Sequence, residues 1–250
     1  MTRFITLLTD FGTADGYVGE MKGVLAANTS DATILDIAHD VVAHDVDGAR
    51  LALARYWRRF PIGTVHLVVV DPGVGGSRAA LAVESEGRFL VGPDNGVLSP
   101  ALLHPGARCV ALAVPASASA TFHGRDVFAP AAAALAQGAP LDALGAAFSD
   151  PLLRRTPEAT RRADGALAGV VITVDRFGNA ITNLMALRGG TVEVDGTVLP
   201  IARTYGDVSA GRMVALTGSS GLIEIAVRDG SAAATLGLHR GSAVVLRPAG

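Results

Sequence analysis

In VVVDPGVGGSR, Val68 to Arg78, a carboxylate and a guanidinium stand at the two ends of a glycine-rich turn. The apolar run that leads into it, Val65 to Val70 with only His66 interrupting, reads as a fully buried strand of a parallel sheet. A carboxylate at the carboxyl end of such a strand lies where open α/β sheets place their ligands. Arg78, across the turn, can fold back to face Asp71. Taken alone, the pair also fits a turn cap beside a surface arginine.

Other polar residues fall at comparable positions. Asp10 ends the apolar run Phe4 to Leu8, Asp15 sits at or near the N-cap of the helix that follows, and His123 lies in the loop Thr121 to Asp126. Further on, Asp175-Arg176-Phe177-Gly178-Asn179 forms a strand-to-strand loop, and Ser219-Ser220-Gly221 precedes a strand. Each has an ordinary structural explanation, since loop Asp and Asn are common for turn reasons. Their joint placement asks for more. The glycine-rich stretch lacks the GK[ST] ending of a P-loop and the GxGxxG spacing of a dinucleotide site, and no GxSxG elbow is present. His39, Asp40, His44 and Asp45 could be proposed as metal ligands, but their spacing does not put the histidines on one helical face.

The elements that must position these residues follow from periodicity. Phe4–Leu8, Thr33–Ile37, the run ending at Val70, Ala80–Glu84, Arg88–Val91 and Cys109–Val114 are strand-like, with a turn at Glu86-Gly87. Helices are expected after Asp15, over Val46–Phe60, over Leu98–Leu103 and over the alanine-rich Val127–Gln137. This alternation predicts an α/β fold: an N-terminal, doubly wound, mostly parallel sheet domain over residues 1–155. Ser149 to Gly165, with its prolines and arginines, reads as a linker. Over residues 166–250 the period changes to short strands, with an Asp195-Gly196 hairpin turn and a short helix at Ser231–Leu236. That half is expected to be a small antiparallel β domain.

Composition narrows the function classes. In a chain of 250 residues, half are hydrophobic and 18% charged, which describes a folded globular protein. Twenty-one basic against twenty-three acidic residues leave a net charge of -2, and no long basic run supports nucleic-acid binding. The single Cys109 is expected to be a buried, inert thiol. With no signal-peptide pattern and no long apolar span, a cytoplasmic location is the expectation.

LTDFGTADGYVGEMKG, VVVDPGVGGSR, VGPDNGVLSP, FHGRDVFAPAAA, VDRFGNAITNL and GSSGLIEIAV, in this order and spacing, resemble the SAM hydroxide adenosyltransferases, S-adenosyl-L-methionine hydrolases related to fluorinase and chlorinase. The resemblance runs from about Phe4 to Leu246. It implies hydrolysis of S-adenosyl-L-methionine to adenosine and L-methionine, and a homotrimer with each site between the N-domain of one subunit and the C-domain of its neighbour. The family's catalytic triad falls on Asp71, Arg78 and His123, and its ribose ligand on Asp10. The methionine-contacting carboxylates fall on Asp15 and Asp175, and the adenine contacts on Phe177 and Asn179. Ser219 and the following strand, with Glu224 and Val227, complete the implied pocket. No metal or other cofactor is implied, only the small-molecule substrate. Two departures stand out. Val42-Ala43-His44-Asp45 replaces a prolyl-aromatic segment, and Ser220 stands where the halogenating relatives carry arginine. The competing readings are a halogenase, which the charge of Asp71 disfavours, and a nucleoside or SAM sensor without turnover, which has no evident need for the Asp71–Arg78 pair. A metal-dependent nuclease or phosphatase is more distant still.

Overall fold

A computed structural model describes residues 3–186 and 189–249. The chain divides into two compact units, one ending at Arg154 and the other beginning at Arg155; residues 1 and 250 of the expected domain bounds lie outside the described residues.

The first unit is built on a seven-stranded sheet. In chain order its elements are β1 (Arg3–Thr9), α1 (Tyr17–Asn28), β2 (Ala32–Ala38), α2 (Val46–Tyr56), β3 (Val65–Val69), β4 (Ala80–Ser85), β5 (Arg88–Pro93), α3 (Ser99–Leu102), β6 (Arg108–Leu112), α4 (Ala129–Ala136) and β7 (Gly145–Ala147). The strand order is β2-β1-β3-β5-β4-β6-β7. Neighbours from β2 to β5 pair in parallel, while β4 pairs antiparallel with both β5 and β6. β6 therefore runs with β5, and the loops after β1, β2, β3, β5 and β6 all leave from one edge of the sheet. Arg78 joins them there, because Ala80 at the start of β4 is registered against Pro93 at the end of β5.

β3 has no exposed residue, as its nearly continuous apolar run requires, since both of its faces are covered. Ile5, Leu7, Val65, Leu67 and Val69 pack with α1 and α4 on one side; Leu8, Val68 and Val70 pack with α2, α3 and Trp57 on the other. The small side chains of α4 let that helix lie close to the sheet. Cys109 is partly rather than fully buried, and burial pushes its thiol up to about 11.

The second unit comprises β8 (Thr160–Arg161), β9 (Leu167–Val174), β10 (Ala180–Thr182), β11 (Gly190–Val194), β12 (Thr197–Ala202), β13 (Met213–Thr217), β14 (Ile223–Val227), α5 (Ala232–Leu236) and β15 (Ala243–Pro248). The sheet order is β10-β14-β13-β12-β11-β15-β9-β8, and β10 also pairs with β9, so seven strands close into a barrel with β8 appended outside. The antiparallel expectation is corrected at one seam: β12 and β13 pair in parallel. β8 also takes part of the expected linker into the barrel unit. The Asp195-Gly196 turn has positive φ at both residues, 46° and 70°, as a tight hairpin of this hand needs. Among the described residues no helix is long and apolar enough to cross a membrane.

Candidate active site

Asp71 follows β3, and two successive turns, Val74 N–H to Asp71 C=O and Gly76 N–H to Gly73 C=O, reverse the chain. Arg78 returns to face the carboxylate and grips it with both arms. Nε donates to Oδ1 at 3.0 Å and Nη2 donates to Oδ2, a two-pronged geometry that guanidinium and carboxylate share. Both side chains are withdrawn from solvent, 10% and 5% exposed. The guanidinium lies over the Phe128 ring, 5.4 Å from its centroid.

Nη2 of Arg78 also donates to Nδ1 of His123 at 2.9 Å. A guanidinium has no acceptor, so Nδ1 must offer its lone pair, and a neutral His123 carries its proton on Nε2. Burial holds the His123 pKa below the ordinary histidine range, and the charge of Arg78 adds to this; Asp71 and Asp126 pull weakly the other way. Nη1 of Arg78 is buried and has no hydrogen-bond partner among the described residues. Buried polar groups rarely stay unpaired, so this donor is available to a small ligand.

The residues after His123 do not begin as an α-helix. Gly124–Phe128 forms a π-helical turn that runs into α4, a device that recurs at functional sites because it re-aims side chains. Its flanks are pinned. Asp126 accepts the Ser119 N–H at 2.8 Å, and Arg125 pairs with Asp126 and with Glu20 of α1 while covering Phe122. The two loops touch at Gly75: with φ at 74°, a Cβ there would run into the Ala120 carbonyl.

Thr9 ends β1 registered against Val69, so Asp10 and Asp71 leave neighbouring strand ends. His39 fixes the loop between β1 and α1, with Nδ1 against Thr9 Oγ1 at 2.9 Å, Nε2 near Asp36 at 3.1 Å and its carbonyl receiving the Gly12 N–H. Asp10 accepts the backbone N–H of His44 at 2.8 Å, and His44 is left-handed with φ at 67°. The departure from the prolyl-aromatic pattern therefore lies where the backbone meets Asp10. His39, His44 and Asp45 do separate jobs, since Asp45 caps α2 through the Gly48 N–H. Asp15 lies just ahead of the capping position of α1, which is Gly16 at φ 81°. Phe11, Tyr17 and Phe122 meet edge to face, with centroids 5.3–5.9 Å apart. The chain alone did not single out this trio, although Phe11 adjoins Asp10 and Phe122 adjoins His123.

In the barrel unit, Asp175 organises its own loop. Its Oδ1 accepts the N–H groups of Phe177 and Asn179, both at 2.9 Å, and Oδ2 accepts Asn179 Nδ2 at 3.0 Å. Asn179 is buried, 6% exposed, whereas Phe177 projects with 76% of its surface open. Glu224 on β14 is buried and accepts the Tyr205 hydroxyl. Tyr205, another residue not singled out from the chain, has its phenol pushed up to about 12 by burial and by Glu224, with Asp175 contributing. Ser219 is exposed before β14, and Val227 packs in the barrel core. The structure therefore gathers Asp71, Arg78 and His123 in one unit, and Asp175 with Asn179, and Glu224 with Tyr205, in the other.

Fold and site together define a two-unit α/β protein with a buried carboxylate–guanidinium–imidazole chain at its strand ends. The SAM hydroxide adenosyltransferase N-terminal domain matches residues 5–145, and the corresponding C-terminal domain matches residues 169–245. The chain belongs to this family. It is 44% identical to an (R)-S-adenosyl-L-methionine hydrolase of Thermus thermophilus, over 98% of this chain and 99% of that protein. A namesake from Salinispora tropica is 40% identical over 96% of each, and a fluorinase of Actinopolyspora mzabensis is 28% identical over 96% and 95%. Among solved structures, an uncharacterised conserved protein from Thermotoga maritima superposes with a TM-score of 0.86 at 32% identity, over 98% of this chain and 99% of that one.

Proposed function

We propose that the protein hydrolyses S-adenosyl-L-methionine to adenosine and L-methionine by in-line attack of water on the 5′ carbon. The observation that carries this is the Asp71–Arg78–His123 chain with its unused, buried Nη1 donor. The sulfonium is already a good leaving group and takes the C–S electron pair without an acid. The obstacle is the nucleophile, because water ionises with a pKa of about 15.7. In this reading Asp71 accepts a proton from the water as the new C–O bond forms. Nη1 of Arg78 holds the developing hydroxide oxygen, His123 anchors the guanidinium through Nδ1, and the proton then passes to solvent. A dry site strengthens these contacts and favours a step in which hydroxide and sulfonium neutralise one another. The chemistry needs no metal or redox cofactor, because the substrate brings its own leaving group.

Asp10 is assigned to the ribose hydroxyls, Asp15 and Asp175 to the methionine end, and Phe177 and Asn179 to the adenine, with Ser219, Glu224 and Val227 alongside. A homotrimer, with the two groups of residues coming from different subunits, and a cytoplasmic location belong to the same proposal. Mixing inactive Arg78→Ala and Asp175→Ala proteins should then restore part of the activity. A sedimenting monomer that is fully active would remove the shared-site arrangement.

The direct test is incubation with S-adenosyl-L-methionine in oxygen-labelled water. Label in the 5′-hydroxyl of adenosine is the expected result. Intact substrate after long incubation would mark a sensor, and a 5′-halogenated nucleoside in added halide would mark a halogenase.

A further inference from the structure

The loop after β5 holds both ends of the glycine-rich turn. Val70 lies beyond the end of β3, and its carbonyl accepts Asn95 Nδ2 at 2.8 Å. That carbonyl belongs to the peptide unit that leads directly into Asp71. One residue earlier, the Asp94 N–H donates at 2.9 Å to the carbonyl of Ala79, the residue after Arg78. Consecutive residues thus bolt the chain just before Asp71 and just after Arg78 to a single loop. Asn95 can act in one orientation only, because its Oδ1 already accepts the Val97 N–H at 3.1 Å. The loop is itself braced: the Asn95 carbonyl takes Arg154 Nε at 2.8 Å, and Arg154 also donates its backbone N–H to Ser99 Oγ and Nη1 to Asp47.

We infer that Asn95 is a positioning residue for the proposed hydrolysis, its amide setting the direction in which Asp71 meets Arg78 and the water. The inference rests on the hydrolase reading and adds to it a group that touches no reacting atom. Small displacements of a reacting pair are costly to rate and cost little to substrate binding, which is made elsewhere. Asn95→Asp is informative because an ionised carboxylate cannot donate to the Val70 carbonyl, whereas a protonated one can.

Adenosine formation by wild type, Asn95→Ala and Asn95→Asp, measured from neutral pH downward, decides the matter. Near neutral pH both variants should lose about ten- to a hundredfold in kcat, with KM changed by less than about threefold. The rate of Asn95→Asp, taken relative to wild type at each pH, should then recover toward the aspartate range, about pH 4. A variant with wild-type kcat, a loss confined to KM, or an Asn95→Asp ratio that stays flat with pH would overturn the inference and leave the hydrolase reading standing. If Asn95→Ala does not fold, the pH course of Asn95→Asp decides alone. A wild-type protein that forms no adenosine would overturn the hydrolase reading and this inference with it.

Discussion

Arg78 donates to Nδ1 of His123 across 2.9 Å, and only one tautomer of the imidazole permits it. Protonating His123 would set two N–H donors against each other, so the arrangement selects the neutral ring. Burial and the neighbouring guanidinium lower the histidine pKa accordingly. The acid limb of the kcat profile should lie below the ordinary histidine value of about 6.5, with activity retained at pH 6.5 itself. His123→Asn keeps an oxygen where Nδ1 accepts but cannot take up a proton, so it should abolish that limb. A pH–rate series on both proteins checks this, and an acid limb above the ordinary histidine value would contradict it.

Arg78→Lys tests the fork rather than the charge. An ammonium cannot grip both oxygens of Asp71, meet His123 and still present a free donor. Activity should fall by about a hundredfold or more, comparable to the loss of an oxyanion-stabilising donor. Isothermal titration with substrate should still detect binding, and near wild-type turnover would take Arg78 out of the mechanism.

Gly75→Ala should act on two loops at once. The left-handed backbone costs a residue with Cβ about 1–2 kcal/mol, and the new methyl meets the Ala120 carbonyl. Pushing the turn from the loop that carries His123 would lengthen the Arg78–His123 hydrogen bond. Thermal unfolding should therefore shift down and kcat drop together. A destabilised protein with unchanged kcat would show that the contact does not set the site.

His66 predicts how stability depends on acid. It is fully buried in β3 against Tyr56 and Phe60, hydrogen-bonded to Thr6 Oγ1 at 2.8 Å, and burial pushes its pKa down to about 3. The unfolded chain takes up the proton first, so the stability is complete above about pH 6.5 and is lost as pH falls toward about 3. Within that window the loss is about 1.4 kcal/mol per pH unit. Urea unfolding of wild type and His66→Gln at several pH values should give a shallower acid slope for the variant, even though the variant is less stable at neutrality. Parallel slopes would show that His66 does not carry the effect.

Phe177 separates binding from folding. With most of its ring open to solvent, Phe177→Ala should change stability by no more than about 0.5 kcal/mol. If the ring stacks on adenine, KM should rise about tenfold or more, in keeping with about 1–3 kcal/mol for base–aromatic stacking. Unchanged KM would leave that face of the nucleoside to other residues.

Much of this was legible in the chain because the pattern and the chemistry coincide. The buried run into Asp71 needs a covered strand, and a covered strand in an α/β sheet delivers its last residues to the ligand edge. Local turn chemistry was equally readable at Glu86-Gly87 and Asp195-Gly196. What escaped was set by tertiary contact. Tyr205 and Glu224 are 19 residues apart and meet across the neighbouring strands β12, β13 and β14. The parallel β12–β13 seam leaves no mark on short strands that alternate as antiparallel ones do. Asn95 was not singled out, since nothing local says that its amide reaches the end of another strand.

Barrel closure has a consequence for how this protein can diverge. An open sheet offers unpaired edges to other chains, and any lengthening of its loops risks exposing them. Here seven strands leave no edge among themselves, and the appended β8 is only two residues long. The loops at Asp175–Asn179 and Ser219–Gly221 can therefore lengthen or exchange residues without creating a sticky strand. A single scaffold can in this way explore different small-molecule chemistries while the barrel's ladder of backbone hydrogen bonds stays the same.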